Sequence, residues 1–124
     1  MTREEKNLLL QDLCARLPYG VKIAMPGLWD SKITIEPLEE IFKGDDGLFR
    51  VNGNGHCIEY IKPYLFPLSS MTDEQKDIFG KLWWNTHGVN MAMHAIDYLN
   101  KNHFDYRGLI EKGLALDATG LNIY

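Results

Sequence analysis

The sequence has no run of lysine and arginine, no long apolar stretch and only two cysteines. Each shortage removes a class of function. Broad, sequence-independent nucleic-acid binding takes its affinity from basic side chains that displace counterions from phosphate. A chain of net charge −4 with no basic cluster is a poor candidate for it. A bilayer-spanning helix needs about 20 consecutive apolar residues, and no apolar run here approaches that length. Nor does a basic N-terminal region lead into an apolar run and a small-residue cleavage site, so the expected compartment is the cytoplasm. Two cysteines do not make a disulfide scaffold. Cys14, in an apolar helical pattern, and Cys57, in a strand pattern, read as buried free thiols.

Chemical motifs are equally scarce. There is no GxSxG, and Ser69-Ser70 reads as the approach to a capped helix. His56 and Cys57 are neighbours, but adjacent strand residues face opposite ways and make a poor nucleophile–base pair. His87 and His94 are seven apart with Asp97 three further on, yet Gly88 interrupts the helix they would share. The GNGH stretch has neither the lysine of a phosphate-binding loop nor its strand-to-helix setting. No catalytic residue, metal or cofactor is expected on these grounds.

What is present fits a single domain of 124 residues; at 45% hydrophobic and 24% charged, the chain can fill one core. Residues 2–17 read as an opening helix: Thr2 and Glu5 have capping-box spacing, and Leu9, Leu13 and Leu17 recur with Leu10 and Cys14 beside them. VKIAM at 21–25 alternates as a strand, and Pro26-Gly27 suits a tight turn. Residues 32–42 begin as a strand through Ile33 and Ile35, with Pro37 as its end or an edge marker and PLEEIF as a short helical turn. A hairpin follows, with strands at about 48–52 and 56–62 and its tip at Asn52-Gly53-Asn54-Gly55. The PYLFP segment reads as an extended exit between prolines. Thr72 and Gln75 cap a second helix whose expected buried stripe is Ile78, Phe79, Leu82 and Trp83. A third helix runs over about 89–101, with Val89, Ala92, Met93, Ile96 and Leu99 on one face. Asp105 reads as the cap of a short helix over Tyr106–Lys112 that Gly113 stops, and the tail is expected to dock. Strands grouped together and helices grouped together predict an α+β fold: an N-terminal helix, a small antiparallel sheet of three or four strands, then two or three helices on one face.

Binding chemistry is better represented than catalytic chemistry. Arg50, Asn52, Asn54 and His56 gather polar groups about the hairpin tip. Trp29 and Trp84 are aromatic faces that a core stripe does not obviously absorb, since Trp84 adjoins Trp83 on one helix. Such sets serve planar ligands and protein interfaces alike. Tyr106-Arg107 adds a cation in the first turn of a short helix, where the dipole disfavours it and a carboxylate or anionic ligand would compensate. The candidate ligand-binding residues are therefore Arg50, Asn52, Asn54, His56, Trp29, Trp84, Tyr106 and Arg107.

Three blocks, LLLQDLCARLPYGVK at 8–22, PYLFPLSSMTDEQ at 63–75 and AIDYLNKNHFDYRGLIEKGLALDA at 95–118, resemble a family of small uncharacterised proteins encoded by gut anaerobic bacteria and by their phages and mobile elements. The resemblance carries no catalytic residues. It implies an accessory protein of the bacterial cytoplasm that binds and blocks something in the host, in one version sequestering a nucleotide-like immune signal as a compact homo-oligomer. The alternatives are a module that modulates a host protein and a small enzyme acting on a nucleotide.

Overall fold

The structure, a computed structural model, describes residues 1–27, 32–53, 56–84 and 89–124. Trp29, Asn54 and His87 lie outside these, as do the side chains of Val89 and Ala92. The fold is α+β: an N-terminal helix, mixed and antiparallel sheets, and two further helices.

Helix α1 (Arg3–Arg16) starts where the spacing predicts, with Thr2 N–H donating to Glu5 Oε1 at 3.0 Å and Glu5 N–H to Thr2 Oγ1 at 3.1 Å. Its buried stripe is Leu9, Asp12, Leu13 and Arg16. This i, i+3, i+4, i+7 line leaves Cys14 on the outer surface. The expected burial of Cys14 is thus corrected; Cys57 is half-buried, and both thiols are free.

The main sheet has the order β2 (Ile33–Pro37), β1 (Lys22–Pro26), β6 (Lys62–Pro67), β7 (Phe104–Asp105), with β8 (Leu116–Asp117) also on β6. β1 pairs antiparallel with β2 and β6, whereas β7 and β8 run parallel to β6. The PYLFP exit is therefore the strand that joins the sheet together. Its prolines are tolerated because β6 shares its length among three short partners instead of pairing fully with one. A second antiparallel sheet holds β3 (Ile41–Lys43), β4 (Phe49–Val51) and β5 (His56–Cys57). PLEEIF thus supplies a strand, not a helical turn. Asn52 and Gly53 take the positive φ values, 54° and 65°, that an Asn-Gly tip requires. The return strand is two residues long, because Ile58–Tyr60 form a 3-10 turn. That turn buries Ile58 and interrupts the strand expected over 56–62.

Helix α2 (Asp73–Trp84) follows a Thr72–Gln75 box with bonds of 2.8 and 3.1 Å. None of its residues is fully buried. Phe79 and Leu82 are half-buried, but Ile78 and Trp83 are exposed, which corrects the wider stripe expected of it. The helix packs against α3 (Val89–Lys101), with Phe79 resting on a cluster of Met71, Leu99 and Phe104. A single packed side leaves room for only a narrow apolar line. The large core lies between α1, β1 and β6, centred on Leu9, Leu13, Ile23, Leu65 and Leu109.

Residues 106–113 form turns, not the predicted helix. Gly108 sits at φ 75°, which no right-handed helix admits, so the chain closes as a loop over Asp105. The Asp105 carboxylate accepts from Leu109 N–H and Ile110 N–H, both at 2.9 Å. It caps a loop where a helix cap was expected. Gly113, at φ 73°, still ends the segment.

Candidate functional site

A cleft of about 440 Å³ opens where α3, β7 and the C-terminal tail meet. It forms because α3 ends abruptly. Asn102 turns its side chain back onto the Tyr98 carbonyl, and His103 takes φ 62° while its N–H donates to Asn100 O. This left-handed position is one that glycine normally fills. From it, the His103 carbonyl accepts from Phe66 N–H at 2.8 Å and starts the parallel pairing of β7 with β6. The imidazole lies parallel to the Tyr124 ring, with centroids 3.8 Å apart and planes 15° apart. The Tyr124 hydroxyl is itself fixed: it donates to Tyr64 O at 2.6 Å and accepts from Lys22 N–H at 2.8 Å. The tail docks as expected, and its last residue forms a wall of the cleft.

Phe66 and Phe104 add apolar surface to this wall, while Gln75, Lys101 and Asn102 add polar groups. Among the described residues, no aspartate or glutamate lines the cleft. Lys101 makes no ion pair among the described residues. His103 is buried, and among the described residues its Nδ1 has no hydrogen-bond partner. Burial, followed by the nearby Arg16 charge, pushes its pKa down from 6.5 to about 4, so the ring is neutral at physiological pH. Burial also raises the Tyr124 pKa, so the phenol keeps its proton.

A buried ionic network stands behind the cleft. Asp12 and Arg16 are fully buried. Asp12 Oδ2 accepts from Arg16 Nε at 2.9 Å, and Asp12 Oδ1 from Arg107 Nε at 3.2 Å. Arg16 Nη2 also donates to the carbonyl of Phe104, on the strand that lines the cleft. The Tyr106 ring faces both guanidinium groups, at 5.3 and 4.9 Å, and its hydroxyl donates to Asn100 Oδ1 and accepts from Arg107 Nη2. Two cations thus share one carboxylate, with an aromatic face and a carbonyl completing the balance. The partner of Arg107 is Asp12, from the opposite end of the chain.

No family model, no curated protein and no solved structure matches this chain. The site is accordingly read from geometry alone.

The residues singled out from sequence do not gather at one place. Arg50 ion-pairs with Asp46 at 2.5 Å on the small sheet. The Asn52 side chain accepts from Glu39 and Glu40 N–H and donates to Pro37 O, tying the two sheets together. His56 Nε2 lies 2.7 Å from Pro26 O, where β6 has already left the side of β1. Its ring stands in for the missing strand. Trp84 is exposed on α2, and Tyr106 and Arg107 belong to the buried network. Trp29 and Asn54 lie outside the described residues. Sequence reading passed over His103, Lys101 and Tyr124. The one local signal for them was a histidine two residues past a helix end, in the place of a capping glycine.

Proposed function

We propose that this chain is a non-enzymatic binding protein that holds a small, anionic, nucleotide-like ligand in the His103–Tyr124 cleft. The observation that carries the reading is a cleft lined by the stacked His103 and Tyr124 rings and by Lys101, with no aspartate or glutamate among its described lining residues. A volume of about 440 Å³ suits a mononucleotide-sized molecule. Phe66 and Tyr124 offer ring surface to a base, His103 backs the Tyr124 ring, and Lys101 offers a charge for phosphate. The setting in a phage or mobile element rests on the sequence resemblance.

Calorimetry and thermal shift against mono-, di- and cyclic nucleotides test the reading. A binder should lose at least tenfold in affinity on His103→Asn, while Lys101→Ala should weaken phosphorylated ligands and spare nucleosides. If no member of the panel binds at high micromolar concentration, the reading fails.

A second reading, a module that docks on a host protein, is favoured by Trp84, 80% exposed on α2, with Ile78, Trp83 and Met93 also exposed on α2 and α3. It predicts a partner whose binding Trp84→Asp abolishes and His103→Asn leaves intact.

A further inference from the structure

We propose that β2 is a homodimer interface, in which two copies of the strand pair antiparallel about a two-fold axis at Thr34. Among the described residues, no strand pairs with the outer edge of β2. Gly27 N–H donates to Lys32 O and Leu38 N–H to Val21 O, so alternate residues of β2, including Thr34 and Glu36, turn their backbone groups toward β1. Ile33, Ile35 and Pro37 therefore turn theirs outward. Pro37 has no N–H to offer, so the complete outward donor–acceptor sets in the strand are those of Ile33 and Ile35.

This fixes the register. Placing Ile33 opposite Ile35 of the second copy, and Ile35 opposite its Ile33, satisfies all four outward N–H and C=O pairs. Centring on Ile35 also forms four bonds, but it sets each Ile33 opposite Pro37, whose missing N–H leaves the Ile33 carbonyl unpaired; centring on Ile33 carries Ile35 past the start of the strand. The same register makes the side chains self-complementary. Ile33 and Ile35, 63% and 45% exposed, share a face and become one four-isoleucine cluster across the seam. On the opposite face, Lys32 of each copy lies across from Glu36 of the other, flanking a Thr34–Thr34 contact. A register slipped by two residues loses the Lys–Glu pairing and leaves the Ile33 carbonyl or the outward groups of Ile35 unmet. Two-fold pairing consumes the edge in both copies, so the assembly closes at a dimer.

Sedimentation velocity and disulfide trapping test this. Wild type should sediment at twice the monomer mass at high micromolar concentration. Ile35→Pro removes an outward N–H that β1 does not use, and should return the protein to the monomer mass with an unchanged circular dichroism spectrum. Glu36→Lys should weaken the dimer, and Lys32→Glu/Glu36→Lys should restore it. With Cys14 and Cys57 changed to serine, Thr34→Cys should cross-link under mild oxidation, since a non-hydrogen-bonded antiparallel pair sets its Cα atoms about 4.5 Å apart. Ile33→Cys and Ile35→Cys, which do not face themselves, should cross-link far less. A monomeric wild type, a dimer indifferent to Ile35→Pro, or cross-linking strongest at position 33 or 35 would each overturn the proposal.

Discussion

Asp12→Asn is the most informative single change to the buried network. Asparagine keeps the shape of the side chain and one acceptor oxygen, and removes the charge that two arginines share. Arg107 is partly exposed and can turn its guanidinium toward water, so its own loss is at most about 1 kcal/mol. Arg16 has no such exit: its side chain is fully buried, and Nη1 already lacks a partner. Against its full charge there remain only neutral groups: the asparagine oxygen, the Phe104 carbonyl and the Tyr106 ring. Removing one member of a buried pair costs about 3–5 kcal/mol, most of it the burden of the stranded charge. Set against a total stability of about 5–15 kcal/mol, this takes a large share. Urea denaturation followed by tryptophan fluorescence should show the midpoint falling steeply at constant slope. The double change Asp12→Leu/Arg16→Met removes both charges and should recover most of the loss, since apolar residues often replace a buried pair without cost. A loss below about 1 kcal/mol in Asp12→Asn would mean that the network does not bury an uncompensated charge, and the reasoning fails.

Further outcomes follow from the cleft and the caps. The pKa of His103 lies below that of an unfolded histidine, so the unfolded chain binds its proton first; stability is complete above about pH 6.5 and falls as pH drops toward 4, by up to about 3 kcal/mol. His103→Asn, which tolerates the positive φ, should flatten that slope in denaturation curves taken between the two values. Tyr124→Phe strands Lys22 N–H and Tyr64 O while keeping the ring over His103, and should cost about 1–3 kcal/mol by urea denaturation, with ligand affinity changed much less than by His103→Asn. Thr2→Ala removes the side chain that caps α1 and should cost about 1 kcal/mol in the same assay; a neutral result would mean the first turn frays in solution.

Local features were readable because their physics is local. Both capping boxes need only a threonine and an acid or amide three residues on, and both form. Leu9 and Leu13 fall on the core side of α1 for the same reason, and Asn52-Gly53 turns where its dihedral freedom allows. The failures have a common origin in distance along the chain. β7 and β8 are two residues long, too short for any period to show, and exist because β6 offers them an edge. Asp12 and Arg107 are 95 residues apart, and no pattern in either segment names the other. One signal was present and unused. Asp12 and Arg16 stand four apart on the very stripe that Leu9 and Leu13 define, and such an arrangement on a buried face implies an internal ion pair.

The network and the cleft are parts of one construction. Arg16 holds the Phe104 carbonyl, and this fixes β7 against β6 at the point where Phe66 N–H meets the His103 carbonyl. His103 is thereby caught between a helix that has ended and a strand that has begun, and its backbone takes the left-handed region to span them. A glycine would adopt that conformation without strain, whereas a side chain there costs about 1–2 kcal/mol. The ring offsets part of this cost by stacking on Tyr124, yet it leaves Nδ1 buried and unpartnered. Arg16 further lowers the affinity of His103 for its proton, so the neutral ring can serve a ligand as donor or acceptor. The charge that the sequence hides in its first helix thus anchors β7 and adds to the burial that keeps His103 neutral, in a cleft built mainly from the chain's last third.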